Sequence, residues 1–514
     1  MKEMIVMNKS SKYVKMELNM KGRTMKKLNW GALLAGVFLS PTFAFAAVNS
    51  GSTEALGAFN PSVNTEIVLP PSGILNYTTF NVPTGVTVTF KKNATNTPVV
   101  ILASGNVSII GNIFLMGTDG KATGTEGGGI LGDDGIPGVG GPGGYDGGRG
   151  GTGTLTTAAS GPGGAGQGPG GGGGGKYTTS YGLYSGGGGG GFAAAGADSN
   201  SVNYCGAPCA GASGGVAYGS SQLLPLIGGS GGGGGTGNLY NGAGGAGGGG
   251  AILIASNGTV SITGVIYAYG GVGGAVAGIG GGGSGGGGAG GAIRIVATTI
   301  SGNGALNTVG QAAGTNSTHG YYVGGAGGVG RIRLEADAYT RTAASSPAHT
   351  QGLPGPIFVA GLPTLSITSV GGAVVPNQPT GNADVTLLST TTNPVVVEFT
   401  TTGVPAGNTV KLTLKPANGV AVTAISPALV GDTISATASV SIALPDGPST
   451  LQATVTYNIV LAMGEALSVY AQGEVVEKIT LASTLGAKES TVTLITVSGK
   501  EFVIPAALLA AMPA

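Results

Sequence analysis

The chain of 514 residues has few of the side chains on which most catalytic and binding sites are built. It contains 2 Cys, 2 His and 1 Trp, and only 8% of its residues are charged. So few cysteines exclude a disulfide scaffold, and so few histidines leave little for an imidazole-based metal or catalytic centre. The formal net charge of +1 lacks the basic surplus that is typical of nucleic-acid-binding proteins. Because 41% of the residues are hydrophobic, disorder driven by charge is excluded as well.

Glycine is abundant instead, and 82 of the 108 glycines lie between residues 121 and 330. From Gly132 to Gly153 a glycine recurs at every third position, a period that fits an extended three-fold helix. Such tracts either remain flexible coils, because ordering glycine is costly, or pack laterally through backbone hydrogen bonds. Later tracts are nearly pure glycine. They cover residues 170–175, 186–191, 231–235, 247–250, 280–283 and 285–288.

Residues 1–46 have the pattern of an export signal. A basic stretch precedes a short apolar run, and Ala44-Phe45-Ala46 matches a signal-peptidase cleavage site, with Met20 or Met25 as an alternative start. Cleavage would leave a mildly acidic chain without an apolar segment of membrane-spanning length. We therefore expect an exported protein, extracellular or on the outer cell surface, with no transmembrane span and no nucleic-acid partner.

Short strand-like segments recur along residues 63–361, within the expected domain 47–361. Residues 99–117 align without gaps with residues 252–270, and looser copies begin at Ile293 and Arg331. Each unit has one inward row of β-branched residues, so it must stack on a neighbour to close a core. These repeats resemble the parallel β-helix of exported bacterial proteins of the pectin-lyase-like type; the alternative is an antiparallel sandwich with coincidental similarity. The glycine tracts are similar to the polyglycine helix bundles of some receptor ectodomains and phage tail-tip adhesins.

The composition changes to Thr, Val, Ala and Pro from about residue 362. Strand lengths and turns over residues 362–461 fit an immunoglobulin-like or fibronectin-III-like β-sandwich. Residues 462–514 carry more charge and are expected to form a small β appendage. The predicted fold is therefore all-β: a parallel β-helix with glycine-rich insertions at 47–361, then the immunoglobulin-like β-sandwich, then the β tail.

Two small groups of residues could bind a metal or form a covalent link. Cys205 and Cys209 form a C-x3-C pair, for which an oxidising compartment favours a local disulfide over free thiols. Asp133, Asp134 and Asp146 offer the hard oxygen ligands that suit Ca²⁺, although they also fit a solvated acidic loop. No other cofactor is expected.

Tyrosine recurs beside the glycine tracts, and 11 of 16 tyrosines lie between residues 145 and 322. Exposed aromatic residues on loops often mark binding surfaces, and the alternative is that these rings cover the glycine tracts. The candidates for a ligand surface are Tyr177, Tyr181, Tyr184, Tyr204 and Tyr240.

The predicted function is a structural or adhesion protein that binds a polysaccharide, or a cell or mineral surface, through these glycine- and tyrosine-rich loops. One alternative is a polysaccharide-active lyase or hydrolase on a β-helix. That alternative is not favoured, because no carboxylate pair for glycoside hydrolysis can be assigned. The charged residues Arg294, Arg331 and Arg333 occupy alternate positions near Glu335 and Asp337 and are interpreted as outward salt links. A second alternative is a passive component of an extracellular matrix; the oligomeric state is left open.

Overall fold

The computed structural model describes residues 48–123, 135–153, 160–178, 183–200, 211–276, 282–316, 322–358, 363–375, 385–417, 420–445, 447–471, 473–485, 490–504 and 509. They all fall within the unit Ala47–Ala514. The described chain is nearly all β, with parallel sheets followed by antiparallel ones. None of its helices is long and apolar enough to cross a membrane.

The first half of the described chain consists of short strands separated by extended segments. The strands are β1 (Ala58–Phe59), β2 (Thr65–Val68), β3 (Ile74–Tyr77), β4 (Thr79–Val82), β5 (Thr87–Lys91), β6 (Val99–Ala103), β7 (Val107–Ile109), β8 (Asn112–Phe114), β9 (Tyr177–Thr178), β10 (Leu183–Tyr184), β11 (Ala251–Ile262), β12 (Val265–Tyr267), β13 (Ala292–Ser301), β14 (Ala305–Asn307), β15 (Arg331–Tyr339) and β16 (Thr350–Gly352). Except for the antiparallel pair β9–β10, they form two parallel sheets of nine and five strands.

Residues that align between the sequence repeats are direct neighbours in these sheets. Ile252 is the register partner of Val99, and Ile266 is the partner of both Ile113 and Leu306. The predicted repeat is therefore confirmed, and the antiparallel alternative is wrong for these residues. The inward side chains form a continuous apolar core, in which burying each Ile or Val contributes about 1.5–3 kcal/mol.

The segments between the parallel strands pack side by side and are called the glycine bundle below. They cover residues 115–123, 135–153, 160–178, 183–200, 211–218, 228–250, 268–276, 282–291, 308–316 and 322–330. Successive amides of the tract 231–235 donate to three different neighbouring segments in turn, with N···O distances of 2.8–3.1 Å. The pairs are Gly231 to Gln167, Gly232 to Ala246, Gly233 to Gly188, Gly234 to Gly164 and Gly235 to Ala243. Every third amide of the tract donates to the same neighbouring segment, as expected of a helix with three residues per turn.

Close backbone contact explains why these tracts are glycine. A Cβ atom on Gly233 would overlap the carbonyl oxygen of Gly173, and a Cβ on Gly187 would overlap the carbonyl oxygen of Gly233. The interior of the bundle is therefore made of backbone, whose buried amides are satisfied by neighbouring carbonyls. In the tract for which the three-residue period was predicted, every third amide of residues 145–151 donates to the segment 229–235 (Tyr145 to Gly229, Gly148 to Gly232 and Gly151 to Gly235). The period is therefore confirmed there, and the described tracts are packed rather than free coils.

The C-terminal part forms two antiparallel sheets. Its elements are β17 (Thr364–Val370), β18 (Ala373–Val374), β19 (Val395–Thr402), β20 (Thr409–Pro416), β21 (Val422–Ala428), β22 (Val430–Gly431), β23 (Ala436–Ile442), β24 (Ser449–Asn458), α1 (Leu461–Leu467), a 3-10 turn (Ser468–Tyr470), β25 (Val476–Thr484), β26 (Thr491–Thr496) and β27 (Glu501–Ile504). The sheet orders are β18-β17-β19-β23-β22 and β21-β20-β24-β25-β26-β27. The predicted boundary at residue 461 falls between β24 and β25, which are paired neighbours in one sheet.

Candidate functional site

The glycine bundle has two ends. At one end its segments continue directly into the parallel strands, for example from β8 and β12 and back into β13. At the other, called the distal end, parallel bridges join Thr123, Val276 and Asn316. These are the last described residues of the segments that leave β8, β12 and β14, and the bridges hold the three segments in register. The distal end is thus a surface built from several remote parts of the chain.

Three tyrosine rings meet at the distal end. Tyr177 and Tyr184 are register partners in the β9–β10 pair, with ring centroids 5.6 Å apart. Tyr322, from a separate segment, lies edge-on to Tyr184 at a centroid distance of 5.8 Å. Tyr184 is 7% exposed, whereas Tyr177 and Tyr322 are half-buried. The outer two rings therefore face solvent in part and are supported by Tyr184.

Backbone hydrogen bonds hold the segments that carry these rings. The amide of Ser284 donates to the carbonyl oxygen of Tyr322 over 2.9 Å, and the amide of Thr236 donates to that of Ser185 over 3.1 Å. Burial, together with the neighbouring Tyr177 and Tyr322, raises the pKa of Tyr184. Its hydroxyl is therefore neutral at physiological pH. A neutral phenol offers apolar ring surface and a hydrogen-bonding tip, which suits recognition rather than acid–base catalysis.

A polar turn also lies at the distal end of the bundle. Residues 238–241 connect two central segments of the bundle, and Tyr240 in this turn is half-buried. The amide of Gly153 donates to Oδ1 of Asn241 over 2.7 Å, and Oγ of Ser160 donates to the carbonyl oxygen of Asn238 over 2.8 Å. Tyrosine, asparagine and serine on a supported backbone are the residue types that binding loops use most.

The predicted calcium ligands are brought together only in part. Asp133 and Asp134 lie outside the described residues. Asp146 lies nearer the strand end, where its carboxylate pairs with Nζ of Lys92 over 2.9 Å and accepts a hydrogen bond from the amide of Gly140 over 2.8 Å. Within the ranges that the structure describes, no three His, Cys, Asp or Glu residues are grouped to hold a metal ion.

Arg294, Arg333 and Glu335 on the parallel strands form a buried network rather than a solvated one. Arg294 and Glu335 are each 1% exposed, and Nη2 of Arg294 lies 3.0 Å from Oε2 of Glu335. Nε of Arg333 donates to Glu335 over 2.9 Å, and so does the amide of Gly355. Arg294 also donates to the carbonyl oxygen of Pro356 over 2.7 Å. The expectation of outward salt links is correct in direction for Arg294 and Arg333, but residues 355–357 cover this network and hold it away from solvent. Arg331 instead donates to the carbonyl oxygens of Tyr218 and Gly219.

Four further predicted site residues, Tyr181, Tyr204, Cys205 and Cys209, lie outside the described residues. The disulfide therefore stays a prediction, and so does the role of all five tyrosines in binding a ligand. Tyr322 was not predicted as a site residue, because its proximity to Tyr184 depends on how remote segments are ordered in the bundle. The one available signal was its position just before the glycines at 324–330.

A function for this chain is argued from its own residues and their geometry. Comparisons with models of protein families, with curated proteins and with solved structures find no match for this chain. The distal tyrosine cluster, Tyr177, Tyr184 and Tyr322, is the feature of the described residues from which a function can be argued.

Proposed function

We propose that the chain is an exported adhesion protein, extracellular or on the outer cell surface, that binds a polysaccharide or another cell-surface component through the distal end of its glycine bundle. The observation that carries this proposal is the distal tyrosine cluster, which is held by hydrogen-bonded backbone. Aromatic rings that are ordered before binding provide contact area at a small entropic cost.

The proposed architecture gives the bundle a rigid base. The in-register parallel strands support a β-helix of the pectin-lyase-like type, whose successive turns would be interrupted by the glycine segments. The two antiparallel sheets support an immunoglobulin-like sandwich after it. In this arrangement the β-helix fixes the register of the segments that leave it, and that register aligns the rings at the distal end.

The same proposal explains why the bundle is made of glycine. A binding surface assembled from remote segments needs those segments to be close and rigid. Glycine allows backbone-to-backbone contact, and each buried amide then forms a hydrogen bond with a net contribution of about 0.5–1.5 kcal/mol.

The test is binding of the purified protein to an array of acidic and neutral polysaccharides. The double variant Tyr177→Ala/Tyr322→Ala should lose at least tenfold in affinity. The matched control is Tyr267→Ala/Tyr269→Ala, since these rings also stack on each other, 4.7 Å apart, but lie near the strand end. Unchanged binding by the distal variant, or equal loss in both, would contradict the proposal. Release of soluble oligosaccharides from the array would favour the enzyme instead.

A further inference from the structure

Two hydroxyl side chains interrupt the glycine tracts close to the distal tyrosine cluster. Ser284 divides the glycines of residues 280–288, and Thr236 divides those of residues 231–237. Both side chains are fully buried. A hydroxyl group in an interior made of backbone is unfavourable unless its hydrogen bonds are formed. The bonds of these two hydroxyls therefore show why serine and threonine occur here instead of glycine.

Ser284 binds the segment that carries Tyr322 through its backbone and its side chain. Its amide donates to the carbonyl oxygen of Tyr322 over 2.9 Å, and its Oγ accepts from the amide of Gly324 over 3.0 Å. The same Oγ donates to the carbonyl oxygen of Gly314 over 2.8 Å, with that of Tyr322 3.2 Å away. The backbone on either side of the Tyr322 ring is therefore held by one buried serine.

Thr236 binds the segment that carries Tyr184 in the same way. Its amide and its Oγ1 both donate to the carbonyl oxygen of Ser185, over 3.1 and 3.0 Å. Ser185 follows Tyr184 in the chain, and its Oγ accepts from the amide of Lys176 over 2.8 Å. Lys176 in turn precedes Tyr177. One chain of hydrogen bonds thus runs from Thr236 to the residues next to both rings of the β9–β10 pair.

The two hydroxyl residues are also linked to each other. The carbonyl oxygen of Thr236 accepts from the amide of Gly283, the residue before Ser284, over 2.8 Å. The carbonyl oxygen of Ser284 accepts over 3.0 Å from the amide of Gly187, which lies three residues after Tyr184. The segments that carry the three rings are therefore all bound to one connected pair of interior residues.

Backbone contacts alone leave a glycine tract free to slide along its neighbours. In a helix with three residues per turn, a shift by three residues sets each amide against an equivalent carbonyl. Register is weakly specified in glycine-rich strands for a similar reason. A side chain removes this freedom because it fits at one level only. Moved to the place of Gly287, the Cβ of Ser284 would overlap the carbonyl oxygen of Gln311, and Thr236 at the place of Gly233 would likewise overlap backbone.

We infer that Ser284 and Thr236 are positioning residues for the distal tyrosine cluster: each fixes the level of its own tract and, through its hydroxyl, holds a segment that carries a ring. The inference deepens the proposed function and rests on it for the effect on binding. The positions of the rings, in contrast, can be followed without a ligand. A protein that lacks either hydroxyl should fold but hold the rings of Tyr184 and Tyr322 less closely.

The test is the affinity of hydroxyl-free variants for the array of acidic and neutral polysaccharides, with polygalacturonate and dextran among them. Ser284→Gly makes its tract pure glycine without adding bulk, and Thr236→Val keeps the shape of the side chain without its hydroxyl. We expect each variant to weaken binding at least about tenfold, because small displacements of positioned groups are costly. Thr236→Ser retains the hydroxyl and should bind like the wild-type protein.

Ser230→Ala is the matched control. Ser230 is also fully buried beside a glycine tract, where its Oγ donates to the hydroxyl oxygen of Tyr218 and accepts from the amide of Gly170, both over 3.0 Å. It lies in the same segment as Thr236 but towards the parallel strands. This variant should lose stability, as Ser284→Gly does, but keep its affinity. Equal loss of affinity by these two variants, or binding by Thr236→Ser as weak as that of Thr236→Val, would overturn the inference.

A measurement without ligand separates this inference from the proposed function. The near-ultraviolet circular dichroism of tyrosine should change in Ser284→Gly, and the same substitution should cause a much smaller change in the Tyr177→Ala/Tyr322→Ala background. If the wild-type protein binds no polysaccharide but this pattern is seen, the proposed function fails and the positioning role stands. An unchanged spectrum of Ser284→Gly, or an equal change in both backgrounds, would overturn the positioning role.

Discussion

Tyr184 and Tyr322 meet edge to face at the distal end of the glycine bundle, with ring centroids 5.8 Å apart and ring planes at 82°. The two residues belong to segments that contact each other through glycine backbone. Gly186 lies two residues from Tyr184, and Gly324 lies two residues from Tyr322. The geometry of the aromatic cluster therefore depends on how closely these glycines approach.

Replacing Gly186 by alanine should separate the two rings. A Cβ atom at this position would overlap the backbone nitrogen of Gly324, so the two segments must move apart. If the distal end is the binding surface, Gly186→Ala should weaken polysaccharide binding at least tenfold and alter the near-ultraviolet circular dichroism of tyrosine. Gly164→Ala is the control, because its Cβ would lie 3.2 Å from the backbone nitrogen of Arg149, which a small shift can accommodate. If polysaccharide binding is intact while the tyrosine dichroism is altered, the tyrosine cluster is not needed for binding.

Substitution inside the bundle should affect stability more than substitution at its surface. A Cβ on Gly233 would overlap the carbonyl oxygen of Gly173, which is part of a hydrogen-bonded backbone and cannot rotate away. Overpacking of this kind costs about 1–3 kcal/mol or more. We expect Gly233→Ala to lower the free energy of unfolding in urea by at least about 2 kcal/mol, and Gly164→Ala to lower it by less than about 0.5 kcal/mol, as is usual for surface changes. Equal effects would show that the interior tracts are loosely packed.

Backbone amides of the bundle should be strongly protected from hydrogen exchange. Each amide from Gly231 to Gly235 donates to a carbonyl of a neighbouring segment, although the tract has no side chains to bury. Peptides covering residues 228–237 should therefore exchange as slowly as peptides covering the parallel strand β11, through global or sub-global unfolding. A free glycine coil would exchange within seconds at neutral pH. Hydrogen exchange measured by mass spectrometry, with the turn at 238–241 as an internal reference, distinguishes a packed bundle from a free coil.

The sequence predicts those parts of the fold that depend on regular spacing. The parallel register follows from the repeat, since Val99 and Ile252 occupy equivalent positions and do pair. The three-residue period of glycine likewise predicts the hydrogen-bond period of the bundle. The order of segments in the bundle could not be predicted, because contacts between backbones leave no side-chain signal. That is why Tyr184 was a candidate site residue while Tyr322 was not.

The burial of Arg294 and Glu335 could not be predicted for a related reason. Both residues point outward from the parallel strands, where charged residues are usually solvated. Residues 355–357 cover them through contacts made by the carbonyl oxygens of Pro356 and Ile357 and by the amide of Gly355. A segment that binds through its backbone has no periodic pattern to show where it lies.

Loss of the Glu335 charge should destabilise the protein at neutral pH. Burial alone would raise the pKa of Glu335, but hydrogen bonds and charge from Arg294, the amide of Gly355 and Arg333 outweigh it and lower the pKa below its usual value. The carboxylate therefore stabilises the fold above about pH 4.5, and this contribution is lost as the pH falls through the folded-state pKa. Glu335→Gln removes the charge at every pH, so it should flatten this acid dependence.

The loss of stability in Glu335→Gln depends on the unpaired charge of Arg294 that remains in the protein. Arg294 is 1% exposed and would remain charged without its partner, a situation that typically costs about 3–5 kcal/mol. Asp146→Asn breaks the half-exposed pair with Lys92 and should cost no more than about 1 kcal/mol. The double variant Arg294→Met/Glu335→Leu should recover part of the lost stability, because the buried charge of Arg294 is then removed while Arg333, which is 13% exposed, still loses its partner. Urea unfolding from pH 3 to pH 8 measures the free energy of unfolding of all three variants. If Glu335→Gln is as stable as the wild-type protein at pH 7, the buried pair contributes little to holding residues 355–357.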